Sequence, residues 1–303
     1  MDFSVIIAAF ERPASLERLL ASIERHFAGA GVSYEVIVAN NARDRSVSER
    51  IDAVVREFSG RDGRVFRAVR EPAPGKCRAQ NRAIADAGGS ILAFFDDDVE
   101  VTAEWLPAAT EFFRDTDFDA MQGPILVPPE VAGNAEFQRS YQRFRTIDFL
   151  QYPSETREID TLTGANMAIR REAFARCGLF NEALGPGRSG ISEDVEFAGR
   201  LIACGGRIGY EPRAAVYHEV DWNRFTEAFF RKRHEQQGVS RFLYKRQSLA
   251  AIIGNMLRSV MAFGWYALWR NERRQYRAKG RYFHYRAMLR EKMKALRVGP
   301  AGG

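Results

Sequence analysis

Cysteine is scarce in this sequence, and its few copies lie far apart. The 303 residues hold three cysteines, Cys77, Cys177 and Cys204. An odd number at wide spacing argues against a disulfide framework, and no CxxC or Cys/His pattern indicates a zinc site. We therefore expect reduced thiols in a cytosolic protein.

Long apolar runs are lacking as well. The N-terminal "MDFSVIIAAFERP" has no basic start and no cleavage-site pattern, so we expect no signal peptide. The most apolar stretch, residues 249–269, contains Arg258, which alone costs about 2.5 to 3.5 kcal/mol at a bilayer centre. Its Leu, Ile, Val and Phe residues together contribute only about −3 kcal/mol. We do not expect this stretch to span a membrane alone.

Glycine-based nucleotide fingerprints are also missing from the positions where they would act. No GxGxxG follows a predicted strand, and GxxxxGK[ST] does not occur. The sequence thus lacks the usual signatures of nicotinamide-dependent dehydrogenases and of P-loop NTPases.

Short apolar runs and helical patterns alternate along the first half of the chain. The runs "FSVIIAA", "YEVIVA", "RVFRAV" and "SILAFF" are rich in β-branched and aromatic residues, as buried strands are. Helical periodicity separates them at Ser15–Phe27, Ser46–Phe58 and Lys76–Ala87. This alternation predicts an α/β fold with a mainly parallel sheet flanked by helices.

Ligands of such sheets bind beyond the carboxyl ends of the strands. Ala8–Arg12, Asn40–Arg43 and Asp96–Asp98 each follow a predicted strand directly, so we expect them along one edge. Further helices are predicted at Ala103–Asp115, Glu136–Leu150 and Ser192–Cys204. Further strands are predicted around Met121–Val127, Asn166–Arg170 and Ala215–His218.

Positive charge is concentrated in the last quarter of the chain. Residues 1–223 carry a formal charge of −9 and residues 224–303 one of +15, which together give +6. This asymmetry favours a polyanionic partner for the C-terminal region, although a solvated basic helix is the simpler alternative.

Within that region, residues 249–269 have a wide apolar helical face and end in aromatic residues, Trp265, Tyr266 and Trp269, before "RNERRQYRAKGRYFHYR". An amphipathic helix with aromatic anchors and adjacent cations fits an anionic membrane surface. A helix packed on the core or at a dimer interface is the alternative.

Three consecutive carboxylates, Asp96, Asp97 and Asp98, follow the buried run "ILAFF". Their mutual repulsion becomes attraction if a divalent cation binds there, because Mg²⁺ and Mn²⁺ prefer oxygen ligands and complete their shell with phosphate oxygens. A helix N-cap cluster is the alternative, but Thr102 is better placed as that cap. We therefore predict a metal–diphosphate site.

Other polar residues stand at helix starts or strand ends. Glu193 and Asp194 begin a predicted helix, where a carboxylate serves as a general base or merely favours the helix N-terminus. His218 ends a predicted strand and is either structural or a further metal ligand. Lys76 and Arg78 begin another helix and either bind phosphate or are surface cations.

Taken together, these segments resemble family 2 glycosyltransferases with the GT-A fold. The resemblance spans roughly residues 3–218, through "SVIIAAFERPASLERLLASI", "YEVIVANNARD", "GKCRAQNRAIADAGGSILAFFDDD", "LTGANMAIRREAFARCGLFNEALGPG" and "SEDVEFAGRLIACGGRIGYEPRAAVYH". It implies a catalytic domain at 1–222, with a nucleotide-binding half at 1–100 and an acceptor half at 101–222. Residues 223–303 would form a basic, amphipathic helical extension.

The resemblance also implies roles for single residues. Ala8, Phe10 and Glu11 would line the first nucleotide loop, and Lys76 would approach the diphosphate. In the triplet, Asp96 would contact the ribose, Asp97 would support its neighbours and Asp98 would ligate Mn²⁺ or Mg²⁺.

In the acceptor half, Asp194 would be the general base and His218 a metal ligand used in some members of the family. The sugar and acceptor site would be lined by Gly164, Ala165, Asn166 and Glu193.

Asn40 departs from the family pattern, which usually has an aspartate that recognises the base. An amide both donates and accepts, whereas a carboxylate only accepts. A UDP-sugar is still the donor that the resemblance favours.

The expected activity is metal-dependent, inverting transfer of a sugar from a nucleoside-diphosphate sugar to a saccharide or lipid-linked acceptor. The enzyme would lie on the inner face of the cell membrane and serve polysaccharide or envelope assembly. It would bind no nucleic acid, and a homodimer is left open. The alternatives are a sugar-nucleotide nucleotidylyltransferase and a degenerate adaptor that binds sugar nucleotides or polyanions.

Overall fold

The structure is a computed structural model that describes residues 2–60, 65–153 and 155–298. The expected α/β class is confirmed, with a mainly parallel sheet flanked by helices and with helices at the C-terminal end. The predicted strand "RVFRAV" begins at Arg64, and the predicted extension ends with residues 299–303. Those positions lie outside the described residues.

The described strands form a sheet of eight, ordered β3-β2-β1-β4-β9-β6-β10-β8, and a sheet of three, ordered β5-β11-β7. From β3 to β4 the pairing is parallel, and beyond β4 it is mixed. The strands are β1 Phe3–Ala9, β2 Tyr34–Asn40, β3 Val65–Arg70, β4 Ile91–Asp96, β5 Val99–Val101, β6 Ala120–Gln122, β7 Ile125–Leu126, β8 Arg157–Ile159, β9 Asn166–Arg170, β10 Ile208–Tyr210 and β11 Val216–His218.

Helices connect and follow these strands. They are α1 Pro13–Phe27, α2 Arg45–Phe58, α3 Lys76–Asp86, α4 Trp105–Asp115, α5 Pro129–Ala132, α6 Ala135–Phe144, α7 Arg171–Cys177, α8 Glu193–Ala203, α9 Glu227–Tyr244, α10 Leu249–Leu268 and α11 Glu272–Val298.

The chain divides into two compact units. The first, here the sheet unit, comprises the residues up to Pro128, Asp148–Glu182 and Glu193–Glu219. The second, here the helical unit, comprises Pro129–Ile147, Ala183–Ser192 and the residues from Val220 onward. The three C-terminal helices therefore share their unit with α5 and α6.

In the sheet unit, β1 shows why the sheet is buried on both faces. Phe3, Val5 and Ile7 pack into the core that α1, α2 and α4 cover, whereas Ile6 packs into the core beneath α3, α7 and α8. Because successive side chains of a strand point to opposite faces, a strand covered on both sides must be apolar throughout. That requirement explains the unbroken run "FSVIIAA".

Parallel register brings the predicted strand ends to one edge of the sheet. Ala8 of β1 lies opposite Asp96 of β4 on one side and Ala39 of β2 on the other. Ala9 lies opposite Asn40. The expectation of a common edge for these three segments is thus confirmed.

Two predicted elements differ from the structure. The helix expected at Glu136–Leu150 ends at Phe144, because Arg145 is left-handed (φ 49°) and cannot continue a right-handed helix. The strand expected at Met121–Val127 is split into β6 and β7, because Pro124 has no N–H to donate to a ladder.

Aromatic packing and one close backbone approach hold the helical unit together. Phe144, Phe230 and Tyr276 contact one another, joining α6, α9 and α11. A Cβ on Gly238 of α9 would come within 2.1 Å of the carbonyl oxygen of His284 on α11. Glycine is therefore required for these two helices to pack so closely.

Helix α10 leaves much of its apolar surface exposed. Its exposed apolar side chains are Ile253, Leu257, Val260, Met261, Phe263, Trp265 and Leu268, and Trp269 follows directly. Among the described helices, none combines the length and the apolar character needed to cross a bilayer.

Candidate active site

The three aspartates lie where β4 ends and the chain turns into β5. The apolar side chains of β4 carry the chain through the core, so the triplet emerges at the edge of the sheet. Asp97 and Asp98 are 3% and 4% exposed, and Asp96 is partly exposed. Three neighbouring carboxylates this deeply placed need cations close by.

His218 joins the triplet through the small sheet. Strand β11 pairs antiparallel with β5, so that His218 lies opposite Val99. The Glu219 N–H donates to the Asp98 carbonyl oxygen (2.9 Å) and extends the pairing. Asp96, Asp98 and His218 each offer one ligand atom, and these three atoms lie within 4.8 Å of one another.

The hydrogen bonding of His218 suits a ligand role. Its Nδ1 lies 2.7 Å from the carbonyl oxygen of Glu219, which only accepts, so we assign the proton to Nδ1. Nε2 then carries a lone pair and lies 3.6 Å from Asp98 Oδ1. Two carboxylates and one neutral imidazole fit a divalent cation such as Mn²⁺ or Mg²⁺.

Arg12 also contacts the triplet, a role that no motif in the sequence indicates. Its Nη2 lies 2.6 Å from Asp97 Oδ1, and its Nη1 donates to Asp98 Oδ2. Burial lowers the pKa of Arg12, but the charges of Asp97, Asp98 and Asp96 outweigh it and raise the pKa overall. Its position shortly after β1, at the predicted edge of the sheet, is the signal that could have identified it.

The pKa values within the triplet are pushed apart. Burial raises the pKa of Asp96, but the nearby charge of Lys76 and its hydrogen bond outweigh burial and bring the pKa to about 2. Burial and the charges of Asp98 and Asp96 raise the pKa of Asp97 to about 7, against the opposing effect of Arg12. Asp96 is thus held as a carboxylate.

Lys76 links the triplet to the start of α8. Its Nζ lies 2.6 Å from Asp96 Oδ1 and 3.1 Å from Glu193 Oε1. Burial lowers its pKa, yet the charges of Asp96 and Glu193 raise it well above the ordinary value. The lysine is therefore a fixed cation at the first turn of α3.

Asp194 is oriented by two backbone amides. The N–H groups of Gly164 and Val195 donate to its two oxygens, each at 2.8 Å. Burial, followed by the charge of Glu193, raises its pKa to about 7, although Lys76 opposes the shift. A Cβ at Gly164 would lie 3.1 Å from Lys76 Nζ and 3.7 Å from Asp194 Oδ2, so glycine leaves room around both groups.

The residues expected to line the nucleotide loop lie at the ends of β1 and β2. Ala8 and Phe10 are partly exposed and Glu11 is exposed. The guanidinium of Arg43 lies 5.9 Å from the Phe10 ring centre. A cation thus lies near the partly exposed ring of Phe10.

Asn40 is fully buried, and both ends of its amide are engaged. Its Nδ2 donates to the hydroxyl and carbonyl of Ser48 (both 3.0 Å) and to Asp52 (2.8 Å). Its Oδ1 accepts from Arg70 (2.8 Å) and from the Ala42 N–H (3.2 Å). The amide thus holds β2, α2 and β3 together.

Ala165 and Asn166 follow Gly164 into β9, and both are buried. Asn166 accepts from the Trp105 indole (2.8 Å) and donates to the carbonyls of Pro124 and Ala214 (2.8 Å each). Its side chain thus braces the sheet, while Gly164 beside it faces Lys76 and Asp194.

Known proteins resemble this chain in sequence. The model for "Glycosyl transferase family 2" matches residues 4–178. The succinoglycan biosynthesis protein ExoM of Rhizobium meliloti is 31% identical over 163 residues, which is 53% of this chain and 50% of ExoM. The pre-mycofactocin glycosyltransferase of Mycobacterium tuberculosis is 28% identical over 152 residues, which is 48% of this chain and 30% of that protein. The matches thus span half or less of these relatives.

Solved structures share the fold at low identity. TarS of S. aureus in complex with UDP-GlcNAc aligns with a TM-score of 0.57 at 15% identity, covering 97% of this chain and 92% of that chain. The Pyrobaculum calidifontis mannosyltransferase PcManGT, in complex with GDP-Man and Mn²⁺, aligns with a TM-score of 0.56 at 17% identity, covering 99% and 75%. These likenesses confirm the GT-A fold. Because the family model matches more than half of the chain, the chain belongs to glycosyl transferase family 2.

Proposed function

We propose that this chain is a metal-dependent, inverting glycosyltransferase. Its donor would be a nucleoside-diphosphate sugar, with UDP favoured, and its acceptor a hydroxyl of a saccharide or of a lipid-linked sugar. The observation that carries the proposal is the bridge made by Lys76 between Asp96 and Glu193. This bridge joins a group of cation ligands to the carboxylate pair that contains Asp194.

Asp98 and His218 would hold the cation, which would offset charge on the diphosphate leaving group when bound. Asp96, kept ionised by Lys76, would accept a hydrogen bond from the ribose. Asp97 would support its neighbours through Arg12. Lys76 would place its positive charge toward the diphosphate.

Asp194 would act as the general base. With a pKa of about 7, it is both ionised and basic enough near neutral pH to take a proton from a hydroxyl. The Gly164 and Val195 amides fix the direction of its oxygens. A single displacement assisted by one base inverts the anomeric configuration, because no enzyme carboxylate replaces the leaving group first.

The remaining site residues would shape the substrate pockets. Ala8, Phe10 and Glu11 would border the nucleotide, and the segment Gly164–Asn166 with Glu193 would border the sugar and acceptor. Because the Asn40 amide is fully engaged, we assign it the indirect role of holding the base-binding edge in shape.

We further propose that the helical unit holds the protein at the inner face of an anionic membrane. The charge of +15 in residues 224–303 and the exposed apolar side chains of α10 support this placement.

A donor screen tests the catalytic proposal. UDP-, GDP- and dTDP-sugars are incubated with the full chain, with and without Mn²⁺, and nucleoside diphosphate release is measured. We expect metal-dependent release from one donor class, with UDP-sugars favoured. Release of pyrophosphate during synthesis of a sugar nucleotide would instead identify a nucleotidylyltransferase. Binding without turnover of any donor would identify an adaptor.

A further inference from the structure

A cavity of about 410 Å³ lies at the turn between α10 and α11, inside the helical unit. It is lined by Arg145, Asn271, Arg273, Arg274 and Arg277. Arg145 reaches it from the left-handed position that ends α6. Four guanidinium groups around one cavity repel each other, so an anion bound among them would relieve that cost.

The nearby acidic side chains are engaged elsewhere. Glu227 contacts Arg143 (3.4 Å) and Lys279 (2.7 Å), and Glu272 lies 3.4 Å from Arg143. Within the described ranges, none of the four cavity arginines forms an ion pair with a carboxylate. Their positive charge is therefore available to an external anion.

The chemistry of the lining selects phosphate. Guanidinium forks match the geometry of phosphate oxygens and bind them with two parallel hydrogen bonds. The Asn271 side chain accepts from the Arg274 backbone N–H (3.1 Å), which fixes the first turn of α11 at the mouth of the cavity. A cavity of this volume accommodates a phosphate ester with its attached head group.

The surroundings of the cavity identify the source of that phosphate. Trp265, Leu268 and Trp269, which directly precede the turn, are 59%, 76% and 66% exposed. The guanidinium of Arg274 lies 5.6 Å from the ring centre of Tyr266 on the same turn. Exposed tryptophans next to cations are typical of segments that lie at the head-group level of a bilayer.

We propose that the α10–α11 turn is a binding site for the phosphate of an anionic membrane lipid. Arg145, Arg273, Arg274 and Arg277 hold the head group, while Trp265, Leu268 and Trp269 enter the acyl boundary. This site rests on the membrane placement proposed above, and it is independent of the catalytic residues. The lipid would therefore bind in a defined pocket, rather than through a diffuse attraction to the whole basic region.

Vesicle binding separates the pocket from diffuse charge. The full chain is sedimented with vesicles of phosphatidylcholine containing phosphatidylglycerol, and with vesicles of phosphatidylcholine alone. The pocket variant is Arg273→Gln/Arg277→Gln. The control is Lys292→Gln/Arg297→Gln, which removes the same charge from α11 about 30 Å farther along the helix.

We expect the pocket variant to bind the anionic vesicles about tenfold to thirtyfold more weakly than the wild type, and the control to lose less than about threefold. Equal losses in the two variants would overturn the pocket while leaving membrane placement intact. Failure of the wild type to bind anionic vesicles would overturn both the pocket and the membrane placement. This holds also if the cause is a dimer whose interface covers α10. Nucleoside diphosphate release with a soluble acceptor reports separately on catalysis in the same variants.

Inorganic phosphate provides the second arm. At constant ionic strength and without vesicles, replacing chloride by phosphate should raise the Tm of the wild type only slightly more than that of the pocket variant, because free phosphate lacks the acyl contacts of the lipid. A phosphate-dependent rise in Tm that the pocket variant lacks, together with no preference for anionic vesicles, would assign the site to a soluble phosphate and overturn the lipid proposal.

Discussion

At the scale of single residues, the raised pKa of Asp194 bears on both the proposed chemistry and the stability of the site. The carboxyl is partly buried beside Glu193, and that environment disfavours its charge. If Asp194 is the base, as proposed above, transfer should speed up as the pH rises through about 7 and then level off.

The change Asp194→Asn should remove a pH-dependent loss of stability. Because the folded-state pKa is raised, the stabilising contribution of Asp194 is full below its unfolded-state pKa and is lost as the pH rises through about 7. Asparagine does not titrate, so the stability of the variant relative to the wild type should rise by about 1 to 3 kcal/mol between pH 5 and pH 8, discounted for the partial exposure of the side chain.

Thermal unfolding from pH 5 to pH 8 measures this difference. A Tm difference between Asp194→Asn and the wild type that stays constant across the range would contradict the assigned environment.

The buried Asn40 leads to a second residue-scale prediction. Asn40→Asp should destabilise the fold by about 1 to 3 kcal/mol, because a carboxylate cannot donate to Asp52 or to the Ser48 carbonyl. Adding Asp52→Asn to this variant restores a donor opposite the new carboxylate and should recover part of the loss. The measurement is urea unfolding, and a single variant as stable as the wild type would refute the buried role of Asn40.

At the scale of elements, histidines on α9 and α11 make the helical unit sensitive to acid. Burial, followed by the charge of Arg233, lowers the pKa of His234 to about 4. Burial, followed by the charges of Arg241 and His234, lowers the pKa of His284 to about 4. Both rings are therefore neutral in the folded protein at pH 6.

Because the folded state disfavours protonation of these rings, their contribution to the free energy of unfolding is complete above pH 6.5. It is lost as the pH falls toward 4. We expect His284→Phe to flatten the fall in unfolding free energy between pH 6.5 and 4.5, by an amount on the order of 1 to 3 kcal/mol. Denaturant unfolding at several pH values measures this, and identical slopes for His284→Phe and the wild type would be the contrary result.

The first three βα repeats were predictable because their cores are patterned locally. β1, β2, β4 and the helices α1 to α3 follow the apolar runs and helical periods with ends that differ by no more than two residues. The end of α6 at Phe144 could not be foreseen, because the helical period continues past Arg145. Pro124 marks the break between β6 and β7, yet the apolar residues on either side of it favoured one continuous strand.

The candidate site likewise has features that the sequence predicts and features that it does not. Strand ends placed Asp96, Asp98 and His218 at one edge, and the structure brings their ligand atoms together. The contacts of Lys76 with Glu193 and of Arg12 with Asp97 join segments 117 and 85 positions apart in the chain. Such contacts depend on how distant elements pack, which residue patterns do not encode locally.

At the scale of the whole molecule, the chain crosses between its two units several times. Pro129–Ile147 and Ala183–Ser192 lie in the helical unit with the residues from Val220 onward. Phe137 of α6 contacts Trp222 and Phe225, and Phe144 contacts Phe230 and Tyr276. A cut at residue 222 therefore removes packing partners from the part that remains.

We expect the fragment 1–222 to expose residues 129–147 to proteolysis and to unfold at a lower temperature than the full chain. The physical reason is that Phe137 and Phe144 lose the aromatic side chains that bury them. Limited proteolysis with mass spectrometry measures the exposure. Equal protection of residues 129–147 in the fragment and in the full chain would count against this view of the helical unit.

The central claim is that cation-dependent donor binding and proton removal belong to different residues of one site. Titration calorimetry of a turned-over nucleotide sugar, with and without Mn²⁺, into the wild type, Asp98→Ala and Asp194→Asn tests it most directly, with transfer measured in parallel. We expect Asp98→Ala to abolish the Mn²⁺-dependent binding, and Asp194→Asn to bind the donor within about threefold of wild type while losing transfer by a factor on the order of 10² to 10⁴. Unchanged Mn²⁺-dependent binding in Asp98→Ala, or lost donor binding in Asp194→Asn, would contradict the central claim.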